Sequence, residues 1–235
     1  MSREKRIEFV DNWIGSNRFQ HDSDSRMLWV DVETSGLDPM QDEILEVGFM
    51  MTDELGNYID HVEVLMIQRI VDYQRLRDTC SEVVRNMHDK SGLWEDIQNS
   101  TDTDTFVNDS HIELRKFLNE NVKGKLPLAG SSVHFDRRWL ELWLPYVSNY
   151  ITHRNIDAST LREIASMISP QLVSNVNKLP TLGAHRAIPD IIDSIELYRN
   201  YMREFGSLSR AFSLSEIESR GSSLTRTIEE LLKGE

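Results

Sequence analysis

Cysteine is almost absent from this chain. One residue, Cys80, stands among 235, which excludes an intramolecular disulfide and suits a reducing compartment, expected to be the cytoplasm. A buried, inert thiol is its expected state. Long apolar runs are missing too. None approaches the roughly 18 residues needed to cross a bilayer, so no membrane association is expected. Residues 1–26 lack an uninterrupted apolar segment and carry Asp11, Asp22 and Asp24, so neither a signal nor a transit peptide is expected. Net positive charge is lacking too: 39 acidic residues outweigh 26 Lys and Arg, and the formal net charge is −13. A protein that tracks a long nucleic acid offers many Lys and Arg contacts to phosphates. Extended polymer binding is therefore disfavoured, whereas a very short nucleic acid held by metals and a few local groups is compatible. No internal repeat is present.

Against that background, the stretch Leu28-Trp29-Val30-Asp31-Val32-Glu33 stands out. Side chains alternate between faces along a strand, so Asp31 and Glu33 project together while Val30 and Val32 face the other way. The apolar run suits a central strand covered on both faces. Two carboxylates side by side at a strand end repel each other and lose solvation. A shared cation removes that cost, and hard divalent ions prefer oxygen ligands. Alone, the pair reads more simply as a strand end whose acids face water, with Thr34-Ser35-Gly36 as an ordinary turn.

The pattern around it predicts one α/β domain at residues 27–206, with an N-terminal extension at 1–26 and a C-terminal tail at 207–235. Residues 1–26 are expected as a short helix or arm. Strands are expected at Leu28–Val32, Glu43–Thr52 and Tyr58–Ile67, joined as an antiparallel meander through the turn Asp53-Glu54-Leu55-Gly56-Asn57. From 71 to 99 the pattern is helical but broken. A helix capped at Thr103 or Asp104 should run to Val122, followed by a strand at 126–129 and a helix from Phe135 to Leu144. A strand at 151–157, a helix opened by Ser159 or Thr160, a loop from Pro170 to Gly183 and a helix from Ile188 to Phe205 complete the domain. In the tail, Leu224, Ile228, Leu231 and Leu232 have helical spacing.

Three further residues accompany the acidic pair. Asp136 falls in the first turn of a predicted helix, where the helix dipole favours a negative side chain. His185 and Asp190 would lie about 140° apart on one continuous helix at about 3.6 residues per turn. They share a site more readily if His185 lies in the preceding loop. Pro189 agrees with that, because proline is tolerated in a first turn and resisted further in.

Together, Asp31-x-Glu33, Asp136 and His185 followed by Asp190 resemble the DEDDh group of 3′–5′ exonucleases, and within it the oligoribonuclease family. The stretches carrying the resemblance are Trp29-x-Asp31-x-Glu33-x-x-Gly36-Leu37-Asp38, His88-x-x-Ser91-Gly92-Leu93, and Leu128-Ala129-Gly130-x-Ser132 leading to Asp136-Arg137-Arg138. Arg154-x-x-Asp157-x-Ser159-Thr160-Leu161 and His185-Arg186-Ala187-x-x-Asp190-Ile191-x-x-Ser194-Ile195 come next in order. The similarity runs from about Met27 to Phe205.

The resemblance implies a ribonuclease H-like fold: a mixed β-sheet with an antiparallel three-strand meander, flanked by helices. It implies two divalent cations, Mg²⁺ or Mn²⁺, on Asp31, Glu33, Asp136 and Asp190, with His185 as general base. It implies degradation of very short RNA oligonucleotides to 5′-mononucleotides by a homodimer. Leu37 would wedge between bases, His88 would lie near the substrate, and Ser132, Arg154, Ser159 and Thr160 would receive the terminal 5′ phosphate. The chain departs from the family at three places: Val83 replaces a base-stacking tryptophan, His153 a tyrosine and Pro189 an acidic residue. Two rival readings are a DEDDh exonuclease that trims longer RNA or single-stranded DNA, and a nucleotide-binding scaffold that has lost its chemistry. The acidity argues against the first, and the complete five-residue set against the second.

Overall fold

At the centre lies a five-stranded sheet in the order β3-β2-β1-β4-β5. Its strands are β1 (Arg26–Thr34), β2 (Ile44–Asp53), β3 (Tyr58–Leu65), β4 (Leu126–Gly130) and β5 (Ile151–Asp157). The first three pair antiparallel, as the meander requires, and β4 and β5 add in parallel on the other side of β1. The structure, a computed structural model, describes residues 3–18, 26–67, 69–100, 109–168, 170–176 and 182–211.

Strand alternation sorts the two faces of β1. Leu28, Val30 and Val32 pack with Leu114, Phe117 and Leu118 of α5 (Asp109–Asn121) and with Trp139 and Leu140 of α6 (His134–Trp143). Met27 and Trp29 pack with Ile188, Ile191, Ile192 and Ile195 of α9 (Ala187–Ala211). Each such fully buried aliphatic side chain contributes about 1.5–3 kcal/mol. Asp31 and Glu33 continue the row that faces α9. Gly48 pairs with Asp31 across the ladder. A Cβ at Gly48 would come within 2.8 Å of the Ala187 Cβ, so glycine lets the first turn of α9 close onto the sheet at the level of the acids.

The broken helical region resolves into α2 (Ile70–Thr79), α3 (Glu82–Ser91) and α4 (Leu93–Ser100). Ser81 caps α3 by accepting the Val84 amide, and Gly92, at φ +78°, ends it. The expected caps Thr103 and Asp104 lie outside the described residues, as do Pro180 and the C-terminal residues from 212 onward.

The structure corrects two local expectations. Residues 170–176, expected as loop, form α8 (Pro170–Val176), with proline at the helix start; Leu172 and Val176 pack against Ala165 and Tyr201. Helix α7 (Ala158–Ile168) is capped by Asp157, whose Oδ1 accepts the Ser159 amide at 3.0 Å, rather than by Ser159 or Thr160. Residues 1–26 contain α1 (Arg3–Ser16), which lies on the α9 side of the sheet with Trp13 buried. Helix α9 runs unbroken past residue 206 to Ala211. Among the described residues, no helix is long and apolar enough to cross a membrane.

Candidate active site

Four elements converge where β1 ends. Asp31 and Glu33 come from β1 itself. Asp136 comes from the first turn of α6, and its Oδ1 accepts the Val32 amide at 3.0 Å. Asp190 lies in the first turn of α9, with His185 in the loop before it. One side-chain atom each of Glu33, His185 and Asp190 lies within 4.8 Å of the others. The His185 backbone has φ +48°, in the left-handed region that side chains resist. This turn aims the imidazole back toward the acids.

The electrostatics arise from crowding carboxylates out of water. Burial, followed by the charges of Asp136, Glu33 and Asp190, holds Asp31 well above the usual carboxylate range. Burial, then Asp190 and Glu46, does the same to Glu33, with Arg186 opposing. Burial pushes Asp136 up to about 7 against the lowering hydrogen bond from Val32. Burial and Asp193 push Asp190 up to about 7 as well. Such a set of oxygen donors, each burdened by its neighbours' charge, fits a hard divalent cation.

The residues expected to meet substrate fall into three places. Leu37 is 76% exposed on the bend after β1, where Arg138 Nη2 donates to its carbonyl at 3.2 Å. Ser132 and Ser159 come together just beyond β4 and β5: the Ser132 amide donates to Asp157 Oδ1 at 2.9 Å, and the two hydroxyls lie 3.4 Å apart. Ser132 has φ +54°. Arg154, on β5, and Thr160, in the first turn of α7, are both exposed. His88 is fully buried. Its Nε2 donates to the Thr34 carbonyl at 3.0 Å, and its Nδ1 lies 3.9 Å from Glu33 Oε2. Burial lowers its pKa. The structure thus packs His88 behind an acid of the cluster, with no surface facing solvent.

A family model described as Exonuclease matches residues 28–198. The chain belongs to the exonuclease family. Within it, the oligoribonuclease of Chromobacterium violaceum is 34% identical over 184 residues, covering 77% of this chain and 96% of the relative. The oligoribonuclease of Halorhodospira halophila is 35% identical over 184 residues, with 78% and 96% covered. That of Neisseria meningitidis serogroup C is 34% identical over 182 residues, with 77% and 92% covered. Among solved structures, a zinc-bound complex of Escherichia coli exonuclease I with single-stranded DNA superposes at a TM-score of 0.54 with 15% identity, covering 77% of this chain and 41% of the other. Exonuclease I from Methylocaldum szegediense gives 0.51 at 16% identity, covering 75% and 40%. This chain spans about two fifths of those exonuclease I chains, and the likeness establishes the shared fold.

Divalent-metal use accords with the exonuclease fold and with the acids gathered here. Several residues of this exonuclease escaped sequence reasoning. Asp193 accepts the Leu182 and Gly183 amides at 2.7 and 3.0 Å and ties down the loop before His185. Arg186 is buried against Glu46, 0% exposed, from near the start of β2. A charged residue within the apolar run Ile44 to Met51 was the available signal for Glu46, because a fully buried acid requires a partner.

Proposed function

We propose that this protein is a 3′–5′ exoribonuclease that hydrolyses very short RNA oligonucleotides, dinucleotides above all, to 5′-mononucleotides. The observation that carries the reading is the convergence of Asp31, Glu33, Asp136, His185 and Asp190 at one strand end, in a chain that aligns with oligoribonucleases over nearly their whole length.

Asp31, Glu33, Asp136 and Asp190 would hold two divalent cations, Mg²⁺ or Mn²⁺. Bound there, such ions make hydroxide available at neutral pH and stabilise the leaving oxygen. His185 takes the proton of the attacking water, a task suited to imidazole near neutral pH. The water oxygen bonds to phosphorus, the bond from phosphorus to the 3′ oxygen breaks, and that oxygen gains a proton. Leu37, exposed at the site's rim, separates the bases. Ser132, Arg154, Ser159 and Thr160 receive the 5′ phosphate of the substrate, while Asp157 holds the two serines in place. For His88, the geometry supports a role in setting Glu33, and a substrate contact would require it to emerge from its pocket. The homodimer belongs to the same reading. Ile164, Met167 and Ile168 are exposed along α7 beyond the phosphate cluster and offer apolar surface to a second copy.

The net charge of −13 gives a longer RNA little to track along, which weighs against a trimmer of long tails. The test is a length series of 5′-phosphorylated RNAs under single-turnover conditions. Dinucleotides should be cleaved faster than five- or seven-residue RNAs, with 5′-mononucleotides as products. Equal or faster cleavage of the longer RNAs would overturn the reading.

A further inference from the structure

His185 owes its conformation to its neighbours in the chain. A non-glycine residue at φ +48° persists only when its surroundings impose that backbone. Before it, Asp190 accepts the Ala184 amide at 3.1 Å and Asp193 holds Leu182 and Gly183; after it, Arg186 supplies a further constraint. Its Nε lies 3.0 and 3.1 Å from the two Glu46 carboxylate oxygens, and its Nη2 lies 2.6 Å from Oε1. The Ala187 amide donates to Glu46 Oε2 at 2.9 Å. Arg186 Nη1 reaches the other way, donating to Asp96 Oδ2 at 2.6 Å. Planar, bidentate contacts of this kind fix direction as well as distance.

Asp96 is itself held from outside the domain. Arg6 of α1 donates to the same Asp96 Oδ2 through Nη2 at 2.9 Å, and through Nη1 to the Ser91 carbonyl at 3.3 Å. Arg6 is 8% exposed, unusually buried for an arginine. Arg6 lines a cavity of about 580 Å³ together with Glu63, Asp96 and Arg186, with Ile7, Val10 and Ile188 also in its wall. The other end is anchored separately, with Trp13 Nε1 donating to Glu196 at 2.9 Å. Helix α1 precedes residues 28–198, which the exonuclease family model matches.

We propose that Arg6, acting through Asp96 and Arg186, is a positioning residue for His185. The helix ahead of the exonuclease domain thereby takes part in the reaction without touching substrate. With Arg6 removed, Asp96 keeps Arg186 and the exposed Arg3, whose Nε lies 3.7 Å from Oδ1, but loses its buried partner from α1, and Arg186 is left with a less firmly held acceptor on one side. The left-handed turn at His185 then has less holding it. This role rests on His185 as proton acceptor in the proposed exoribonuclease reaction.

The test compares the full-length wild-type protein with Arg6→Gln, Asp96→Asn, their double variant, Arg6→Lys and, as a control at the other end of α1, Trp13→Phe. Activity is read as kcat and KM on a 5′-phosphorylated diribonucleotide with Mg²⁺, and amide hydrogen exchange is read over 182–190 in metal-free protein. Arg6→Gln should lower kcat about three- to tenfold with KM within about twofold, the signature of a displaced catalytic group rather than lost binding. Exchange over 182–190 should rise. Asp96→Asn should act likewise, and the double variant should be no worse than Asp96→Asn alone, because the residues act in series. Arg6→Lys should recover much of the loss, and Trp13→Phe should leave kcat near wild type. Unchanged kcat in folded Arg6→Gln, or losses that multiply in the double variant, overturn the proposal. If Arg6→Gln does not fold, Arg6→Lys and Asp96→Asn carry the same comparison. If the wild-type protein cleaves no RNA, the proposed function fails, and unchanged exchange in Arg6→Gln would then separately sink the positioning link.

Discussion

Asp136 Oδ1 lies 3.0 Å from the backbone nitrogen of Val32, the residue between Asp31 and Glu33. A side chain on α6 thus completes the hydrogen bonding of β1 at the point where β1 presents its acids. One carboxylate has two separable tasks: to accept an amide and to supply charge.

Substitution can divide those tasks. Asparagine at 136 can still accept the Val32 amide but carries no charge, whereas alanine can do neither. Asp136→Asn should fold with unchanged or higher stability without metal, since a buried, repelled charge is gone, yet lose nearly all hydrolysis. Asp136→Ala should be less stable by about 1–3 kcal/mol, the cost of an unsatisfied buried amide. Urea unfolding with parallel metal titration by calorimetry checks both; a near-active Asp136→Asn would remove this residue from the metal set.

The raised acids also set a pH dependence. Asp136 and Asp190 reach about 7 in the fold, against about 3.9 in an unfolded chain. Below about pH 4 both are protonated in either state and impose no cost. As pH rises through the window toward about 7, the unfolded chain releases its protons first, so the metal-free protein loses stability. A bound divalent cation opposes that loss. Its melting increment should therefore be larger at pH 8 than at pH 5.5, and calorimetric scans with EDTA and with Mg²⁺ measure it. An increment independent of pH would contradict the crowded-carboxylate description.

His185 approaches Glu33 and Asp190 closely enough to be mistaken for a ligand. As general base it should be dispensable for metal binding. His185→Ala should reduce turnover by about 10²–10⁴-fold while leaving metal affinity within a few-fold. Calorimetry showing that metal binding is lost together with turnover would reassign the imidazole to the coordination set.

Period and order made part of the site legible in the sequence. Alternation put Asp31 and Glu33 on one face, and Pro189 placed His185 ahead of its helix, both as the structure has them. Contacts between distant segments were not legible. Nothing local marks Arg6 and Asp96 as partners, because 90 positions separate them in the chain. His88 is expected near the substrate, and its full burial becomes visible only once α3 and α4 fold around it and Trp94 packs edge-on against its ring. Helix α8 is short, and burial of Leu172 and Val176 supports it more than any intrinsic preference.

The phosphate cluster and Val83 make opposing demands on substrate choice, and they can be tested apart. If Ser132, Arg154, Ser159 and Thr160 receive the 5′ phosphate as proposed, a longer chain would have to pass its next phosphodiester there. Arg154→Ala should therefore weaken dinucleotides most and narrow the rate gap between two- and seven-residue RNAs. Val83 is 77% exposed at the start of α3, open to a neighbouring base but offering no aromatic face. Base–aromatic stacking is worth about 1–3 kcal/mol per base, so Val83→Trp should tighten binding of every length by about five- to 160-fold at most. It should not reorder them, because stacking favours any terminal base while the cluster penalises only long chains. Single-turnover rates and fluorescence-anisotropy Kd values across the length series separate the two effects. A Val83→Trp protein that newly prefers longer RNAs would show that stacking, not the phosphate cluster, sets length.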